Sequence, residues 1–369
     1  MQSSYQEFGD QLYGISAIGI AIPQYALPLS EFAKIRAADP VQYTESLGCQ
    51  VMALCAPHEN VVTLASTAAK RAIQNWGGDL DQIGLVVVAT ETAPDMSRPL
   101  SSWLMSDLGL KGNIRSYEVK HACYAGTVAV RQALEWHLSG NAKGKVALVV
   151  AADVALYALG HSGEPTQGAG AIAMIIGEPT IAAISPTSYY WSDPQYDFWR
   201  PVGKEYPEVN GRLSLTCYIN AALRCFAQLA PQEALGNYLQ NYQFICMHVP
   251  FPKMVFKAIK RLGEYCGWSA AQILQQYEQK TYSVMQWNQQ IGNSYTASLW
   301  LSVANALTMT SANQKLLAFS YGSGCGAELL TLQCTASQAN SAWEQQLQAD
   351  LAARQFIDAQ FYQAIRDKQ

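Results

Sequence analysis

Two runs, Ile83 to Ala89 (IGLVVVA) and Val146 to Ala152 (VALVVAA), have no polar side chain at any position and are rich in β-branched residues. Runs of this kind suit strands covered on both faces, where the alternation of a wet and a dry face is lost. Further strands are predicted at residues 12 to 22, ended by Pro23, at Ser116 to Val119, at Gly168 to Gly177, at Phe244 to Val249, and last at Leu316 to Tyr321. Between them lie segments of helical period. A short one runs from Leu29 to Ala37, with Ser30 as cap and Glu31 in the first turn. A stronger one is capped at Asn60 and stopped at Gly77-Gly78. Others cover Leu213 to Leu229, Lys253 to Leu262 and Thr296 to Leu307. Strand and helix alternate, which predicts an α/β fold with a mostly parallel, helix-covered sheet. From about Ser185 to Asn210 the period fails; this stretch, rich in Tyr, Trp, Pro and Asp, reads as a long ordered excursion of the kind that forms binding elements. Ser341 to Lys368 reads as a polar amphipathic helix covering the surface.

The helix after Gly126-Thr127 differs from the rest. Val128, Val130, Ala133, Leu134, Trp136 and Leu138 occupy too much of its circumference for a surface helix, so it is expected at the centre, ending at Gly140. Cys123 stands at its entry. The positive end of a helix and the free N–H groups of a turn favour a thiolate there, the form that nucleophilic catalysis requires. A cysteine in such a place is either a nucleophile or buried packing. Two other residues sit where a sheet delivers functional groups, beyond the carboxyl ends of strands. Glu91 follows the Ile83 to Ala89 run, and His248 lies near the end of FICMHV with Pro250 and Pro252 behind it. Each has a plain structural reading too, a solvated strand exit for Glu91 and a satisfied core imidazole for His248.

Composition narrows the classes. Half of the 369 residues are hydrophobic, 14% are charged and the net charge is −4, so no basic surplus points to nucleic acid. No apolar run approaches the ~18 residues of a membrane span. The first residues, MQSSYQEFGDQ, show no basic segment followed by an apolar one, and a cytoplasmic protein is expected. The nine cysteines form no C-x-x-C and read as reduced thiols. His58, His121, His137, His161 and His248 give neither H-E-x-x-H nor a Cys/His metal spacing, so no metal is expected. GAGAIA at Gly168 and GSGCGA at Gly322 match the dinucleotide fingerprint G-x-G-x-x-A in letters only, because neither opens the helix of a βαβ unit. There is no P-loop, and no cofactor is expected.

Several longer segments occur together and in one order. They are ATET at Ala89 to Thr92, EVKHACYAGT at Glu118 to Thr127, ADVALY at Ala152 to Tyr157 and GEPTQGAGA at Gly163 to Ala171. YDFWRP at Tyr196 to Pro201, HVPFPKM at His248 to Met254, GNSYT at Gly292 to Thr296 and SYGSG at Ser320 to Gly324 complete the set. Through them, from about Tyr13 to Glu328, the chain resembles the 3-hydroxy-3-methylglutaryl-CoA (HMG-CoA) synthases of the thiolase-like superfamily. The resemblance implies a thiolase-like α/β fold of two pseudo-equivalent halves in a layered αβαβα arrangement. Residues 12–178 would carry the glutamate and the cysteine; residues 179–369 would carry the histidine, the asparagine and the glycine loop. A homodimer is expected by the same resemblance.

The resemblance also implies the roles. Cys123 would take an acetyl group from acetyl-CoA as a thioester. Glu91 would remove a proton from that acetyl group, and His248 would polarise the C3 carbonyl of acetoacetyl-CoA. Asn293 would stand beside the acetoacetyl group. Tyr157, Thr166, Ser214 and Ser323 would touch substrate, and Lys253 would meet a CoA phosphate. Backbone N–H groups near Cys123 and in the Gly322 to Gly324 loop are candidates for an oxyanion hole, although a tight turn explains the glycines equally. A related reaction, β-branching of a polyketide carried on an acyl carrier protein, is the alternative; Lys253 and Phe198-Trp199-Arg200 favour free CoA substrates and mevalonate supply. A ketoacyl-synthase-like enzyme lacks the ATET glutamate, and an inactive scaffold of the same fold would not need all of Glu91, Cys123 and His248.

Overall fold

A computed structural model describes Phe8, residues 12–338 and residues 341–367. Its centre is a nine-stranded sheet built from β1 (Gly14–Ala21), β2 (Ile83–Ala89), β3 (Arg115–Val119), β4 (Val146–Ala155), β5 (Gly168–Gly177), β6 (Ala182–Ser192), β7 (Tyr242–Met247), β8 (Lys315–Gly322) and β9 (Gly326–Cys334). The strand order is β7-β8-β9-β6-β1-β5-β4-β2-β3. Only β7/β8, β4/β2 and β2/β3 are parallel. The expectation of a mostly parallel sheet is therefore corrected: the remaining five pairings are antiparallel. The reason lies in two returns that periodicity does not reveal. Residues 156–167 turn β4 back into β5, and the Gly322 to Gly326 loop turns β8 into β9, a strand the sequence reading stopped short of; β1 runs against both β5 and β6, between which it lies.

The sheet is continuous only through a narrow waist, where Gly14 and Ile15 pair with Ala183 and Ala182. On either side of it the strands bend around two central helices, α3 (Ala125–Leu138) and α6 (Ser298–Thr308). All of α6 is buried. The interior cluster joins Ala129, Ala133 and Leu134 of α3 and Leu299, Leu301 and Val303 of α6 to Leu85, Val87 and Ala89 of β2 and to Leu330 and Leu332 of β9. The alternate residues Val86 and Val88 face outward, against Leu64 and Ala68 of α1 (Val61–Trp76) and Leu100 and Leu104 of α2 (Leu100–Asp107). On the other outer face α4 (Gly211–Phe226) and α5 (Pro252–Tyr265) pack on Ile245, Phe319 and Leu329. The layers thus run helix, sheet, helix, sheet, helix, the αβαβα order expected. Strand β2 is unbroken in apolar character because both of its faces are covered, each large side chain stabilising the fold by about 1.5–3 kcal/mol.

Two segments depart from expectation. The region expected as an excursion from about Ser185 begins as strand, since β6 continues to Ser192; the irregular part is residues 193–210, with a ribbon of Phe198–Trp199 and Glu208–Val209 inside it. The final segment is not one covering helix. It forms α7 (Ala342–Ala353), a short strand at Gln355–Phe356, and α8 (Ala359–Arg366), with Trp343, Leu347 and Tyr362 buried; Lys368 lies outside the described residues. Gln355–Phe356 pairs in parallel with Tyr25–Pro28, and Arg71 and Asn75 of α1 bond Asp350 and Gln346 of α7. This segment straps the end of the chain to its beginning. Its apolar residues are sparse because only one side of each short helix is covered.

The two regions are locked at Asp153, which is fully buried at the end of β4. One carboxylate oxygen accepts bonds from the Thr90 and Thr92 hydroxyls and the Glu91 N–H at 2.8–2.9 Å. The other accepts from the N–H of Thr296 at 3.0 Å and from its hydroxyl. Bonds to a charged acceptor contribute about 1.5–3 kcal/mol each when removal leaves a donor unpaired. Asp153→Asn replaces one acceptor oxygen by a donor facing other donors, so we expect a loss of about 3 kcal/mol, read as an earlier first unfolding transition in urea, with acid-stable secondary structure retained.

Candidate active site

Cys123 sits in a turn whose preceding residue, Ala122, has φ 42°, the left-handed region that a residue with a side chain adopts at a cost. The turn is closed by the Tyr124 N–H on the His121 carbonyl and the Ala125 N–H on that of Ala122. It is pressed from two sides. A Cβ on Gly126 would lie 2.3 Å from the Thr296 carbonyl oxygen, and one on Gly322 would lie 2.5 Å from that of His121. Both positions require glycine, so the sequences CYAGT and SYGSG are fitted to each other through the nucleophile turn.

The thiol donates to Glu91 Oε1 at 3.2 Å. Glu91 is held through its backbone: its N–H is on Asp153, and its carbonyl accepts from Arg200 at 2.6 Å. Burial pushes the Glu91 carboxyl up to about 8, with Asp153 adding to the rise; the thiol bond and Arg200 oppose it. Burial and the neighbouring Glu91 also hold the Cys123 thiol well above its ordinary range, against the pull of its own backbone N–H. The expectation of a thiolate set by the helix end is thereby corrected. α3 does start beside Cys123, but desolvation and an adjacent carboxyl outweigh a partial charge. The resting pair is a protonated thiol beside a carboxyl that must lose its own proton before it can accept one.

His248 closes the opposite side. Its N–H bonds the Phe319 carbonyl, its own carbonyl accepts from Tyr218, and the ring is buried. Burial lowers its pKa to about 3, so the ring is neutral, and Nδ1 has no hydrogen-bond partner among the described residues.

A cavity of about 320 Å³ opens onto Cys123 and His248 and is lined also by Tyr157, Thr166, Ser214, Asn293 and Ser323. Glu91 stands behind the thiol instead of on the wall. Asn293 is fixed by its N–H on the Thr166 carbonyl and by its side-chain oxygen, which accepts from the Tyr295 N–H. Ser323 donates to Asp197 at 2.8 Å, and Asp197 also accepts from Tyr321 and from the Gly324 N–H. That last amide is thus engaged within the fold. Lys253 does not line the cavity: it is exposed, its Nζ 5.0 Å from the Phe256 ring centroid, while Lys257, one turn on, does line it.

Sequence reading missed Tyr295 and Lys257 on the wall and Asp153 behind it, and weighed Phe198 and Arg200 only as signs of free CoA substrates. Tyr295 (φ 44°) and Phe198 meet edge to face at 6.0 Å, and Phe198 meets Tyr157 at 6.4 Å, forming an aromatic side. Their signal was present in GNSYT and YDFWRP. Asp153 was visible as the polar end of a buried strand, without an indication of five donors converging on it.

The models of the N-terminal and C-terminal regions of hydroxymethylglutaryl-coenzyme A synthase match residues 10–181 and residues 187–272 and 268–369. The hydroxymethylglutaryl-CoA synthase of Enterococcus faecalis is 35% identical over 335 residues, covering 89% of this chain and 84% of its own. The cytoplasmic hydroxymethylglutaryl-CoA synthase of Gallus gallus is 31% identical, covering 87% and 72%. Among solved structures, MvaS in complex with 3-hydroxy-3-methylglutaryl coenzyme A superposes with a TM-score of 0.88 at 35% identity, covering 96% of this chain and 92% of that one. The HMG synthase of the curacin biosynthetic pathway, in complex with acetyl donor-ACP, gives 0.89 at 27%, covering 96% and 88%. With both halves matched and a thiolase-like fold shared with these structures, the chain is an enzyme that belongs to the hydroxymethylglutaryl-CoA synthase family.

Proposed function

We propose that this enzyme condenses acetyl-CoA with acetoacetyl-CoA and water to give HMG-CoA and CoA, in the supply of mevalonate. The observation that carries the reading is the Cys123 thiol on Glu91 at 3.2 Å, opposite a buried neutral His248 across one cavity. Ionised Glu91 takes the thiol proton as sulfur attacks the acetyl carbonyl; the thioester forms and CoA leaves with a proton. Glu91 then removes a proton from the acetyl methyl group. The resulting carbon attacks C3 of acetoacetyl-CoA, whose carbonyl oxygen is polarised by a hydrogen bond from the neutral His248 ring and takes up the proton that Glu91 removed from the methyl group. Water cleaves the remaining thioester and restores the thiol. Asn293, Thr166, Tyr157, Ser214 and Ser323 supply polar and aromatic contacts along the wall, and Lys257 with Lys253 nearby offers cations to phosphate. A cytoplasmic location follows the name of the Gallus gallus relative, and a homodimer would cover the outer edge of β3.

A second reading has its own support in the likeness to the curacin-pathway enzyme solved with a donor carrier protein: the electrophile would then be an acyl chain on such a protein. Intact-mass measurement after brief incubation with acetyl-CoA separates the readings. We expect one acetyl group on Cys123, discharged by acetoacetyl-CoA to HMG-CoA. Discharge only by an acetoacetyl carrier protein establishes the second reading, and absence of the acetyl group refutes both. His248→Ala is expected to retain acetylation and lose condensation by about 10²–10⁴-fold, with Glu91→Gln impaired to a similar degree.

The pH dependence has a fixed sign. Glu91 acts only after losing its proton, so kcat/KM should rise with pH and reach half its maximum near 8. His248, neutral above about 3, adds no limb at mildly acid pH. A profile falling across that rise contradicts the assignment of Glu91 as base.

A further inference from the structure

The wall of the cavity between Tyr157 and Thr166 is braced from behind by the last helix. The Tyr157 peptide is held at both ends: its N–H donates to Gln167 Oε1 at 2.6 Å, and its carbonyl accepts from Arg366 Nη2 at 2.6 Å. Arg366 Nη1 reaches the same Gln167 oxygen at 3.1 Å, which ties the two bonds into one clamp. One turn earlier, Tyr362 donates to Glu164 Oε1 at 2.9 Å and accepts from Gln167 Nε2 at 3.1 Å. Glu164 is fully buried; its other oxygen accepts from the Gly160 N–H and from Arg36. Gln167 is bridged to Asn293 through the backbone. The Arg366 guanidinium also lies 5.6 Å from the Tyr206 ring centroid, in the irregular segment 193–210 that carries Phe198 and Arg200. Arg366 and Tyr362 are 5% and 0% exposed, and neither lines the cavity, so neither touches substrate.

We propose that Arg366 and Tyr362 are positioning residues that set the Tyr157 to Thr166 wall for the acyl thioester. The proposal deepens the reading of the site given above and rests on it. A guanidinium suits the task because its fork serves a carbonyl and an amide oxygen from one rigid plane, which a lysine cannot do. The clamp acts on binding geometry, while the reacting groups, Cys123, Glu91 and His248, are held by other elements. Loosening it therefore raises the half-saturating concentration of acetyl-CoA and leaves the rate at saturation nearly intact.

The test uses the full chain carrying Arg366→Ala, Arg366→Lys or Tyr362→Phe, with Asp350→Asn as a control that weakens the same strap away from the cavity. The rate of Cys123 acetylation is followed against acetyl-CoA concentration, and amide exchange of residues 156–167 is followed without ligand. For Arg366→Ala the half-saturating concentration should rise about tenfold with the maximal rate within about twofold, and exchange at Tyr157 should quicken while β4 stays protected. Arg366→Lys and Tyr362→Phe should lie between this variant and the parent, which keeps the test open if Arg366→Ala does not fold. Unchanged half-saturation and exchange, with only a lower thermal midpoint, overturns the proposal, as does an equal rise in Asp350→Asn. If the parent protein takes no acetyl group, the reading of its reaction fails instead, and exchange at Tyr157 alone decides the clamp.

Discussion

A single buried carboxylate organises the reactive centre. Asp153 receives five donors, three from the Thr90-Glu91-Thr92 exit of β2 and two from Thr296 ahead of α6. An acid in such surroundings is costly unless every lone pair is used, and here the cost is met by joining two otherwise separate strand-and-helix regions. Because the Glu91 N–H is one of the donors, the same carboxylate that joins the regions also aims the group that meets the thiol. Thr296 in turn abuts Gly126, one residue inside the helix that Cys123 precedes. Cys123, Glu91 and the inter-region contact are one connected set of bonds.

The electrostatics follow from this closeness. Three acids lie at one place: Asp153 raises the proton affinity of Glu91 and of the thiol, and Glu91 raises that of the thiol, while the thiol bond itself lowers that of Glu91. Asp153 is the best supplied with donors, so the proton rests on the other two. A thiol that stays protonated until a substrate enters is less exposed to oxidation and to adventitious acyl transfer than a standing thiolate. The helix end near Cys123 still contributes, but a fractional charge does not prevail over full desolvation beside a carboxylate.

Much of the frame was legible in the amino-acid order because it depends on local periods. IGLVVVA and VALVVAA are strands as read, and α3 is central as its apolar circumference required. What escaped detection depends on distant partners. No period of GAELLTLQC distinguishes it from neighbouring segments until β8 and β6 flank it, and the direction of a strand is decided by the connections and partners around it, which no local period records. The site was legible in Glu91 and His248, each near the end of an apolar run, and in Cys123 at the entry to a central helix. Its supports were not: Arg200 sits in a segment with no period, and Lys257 and Arg366 sit on helices whose period does not show what each cation faces.

The bond from Arg366 to the Tyr157 carbonyl spans 209 residues, and the bond to Gln167 spans 199. Contacts so remote in sequence close large loops and form after the local ones. A chain emerging from the ribosome therefore has the residues of β2, α3 and the cysteine turn in hand before those that press the turn into place, Thr296 and Gly322, and has the brace of the facing wall last of all. The final helix thus comes last to a pocket whose other parts are already made, and what it adds is the fit of one wall and not the groups that face it.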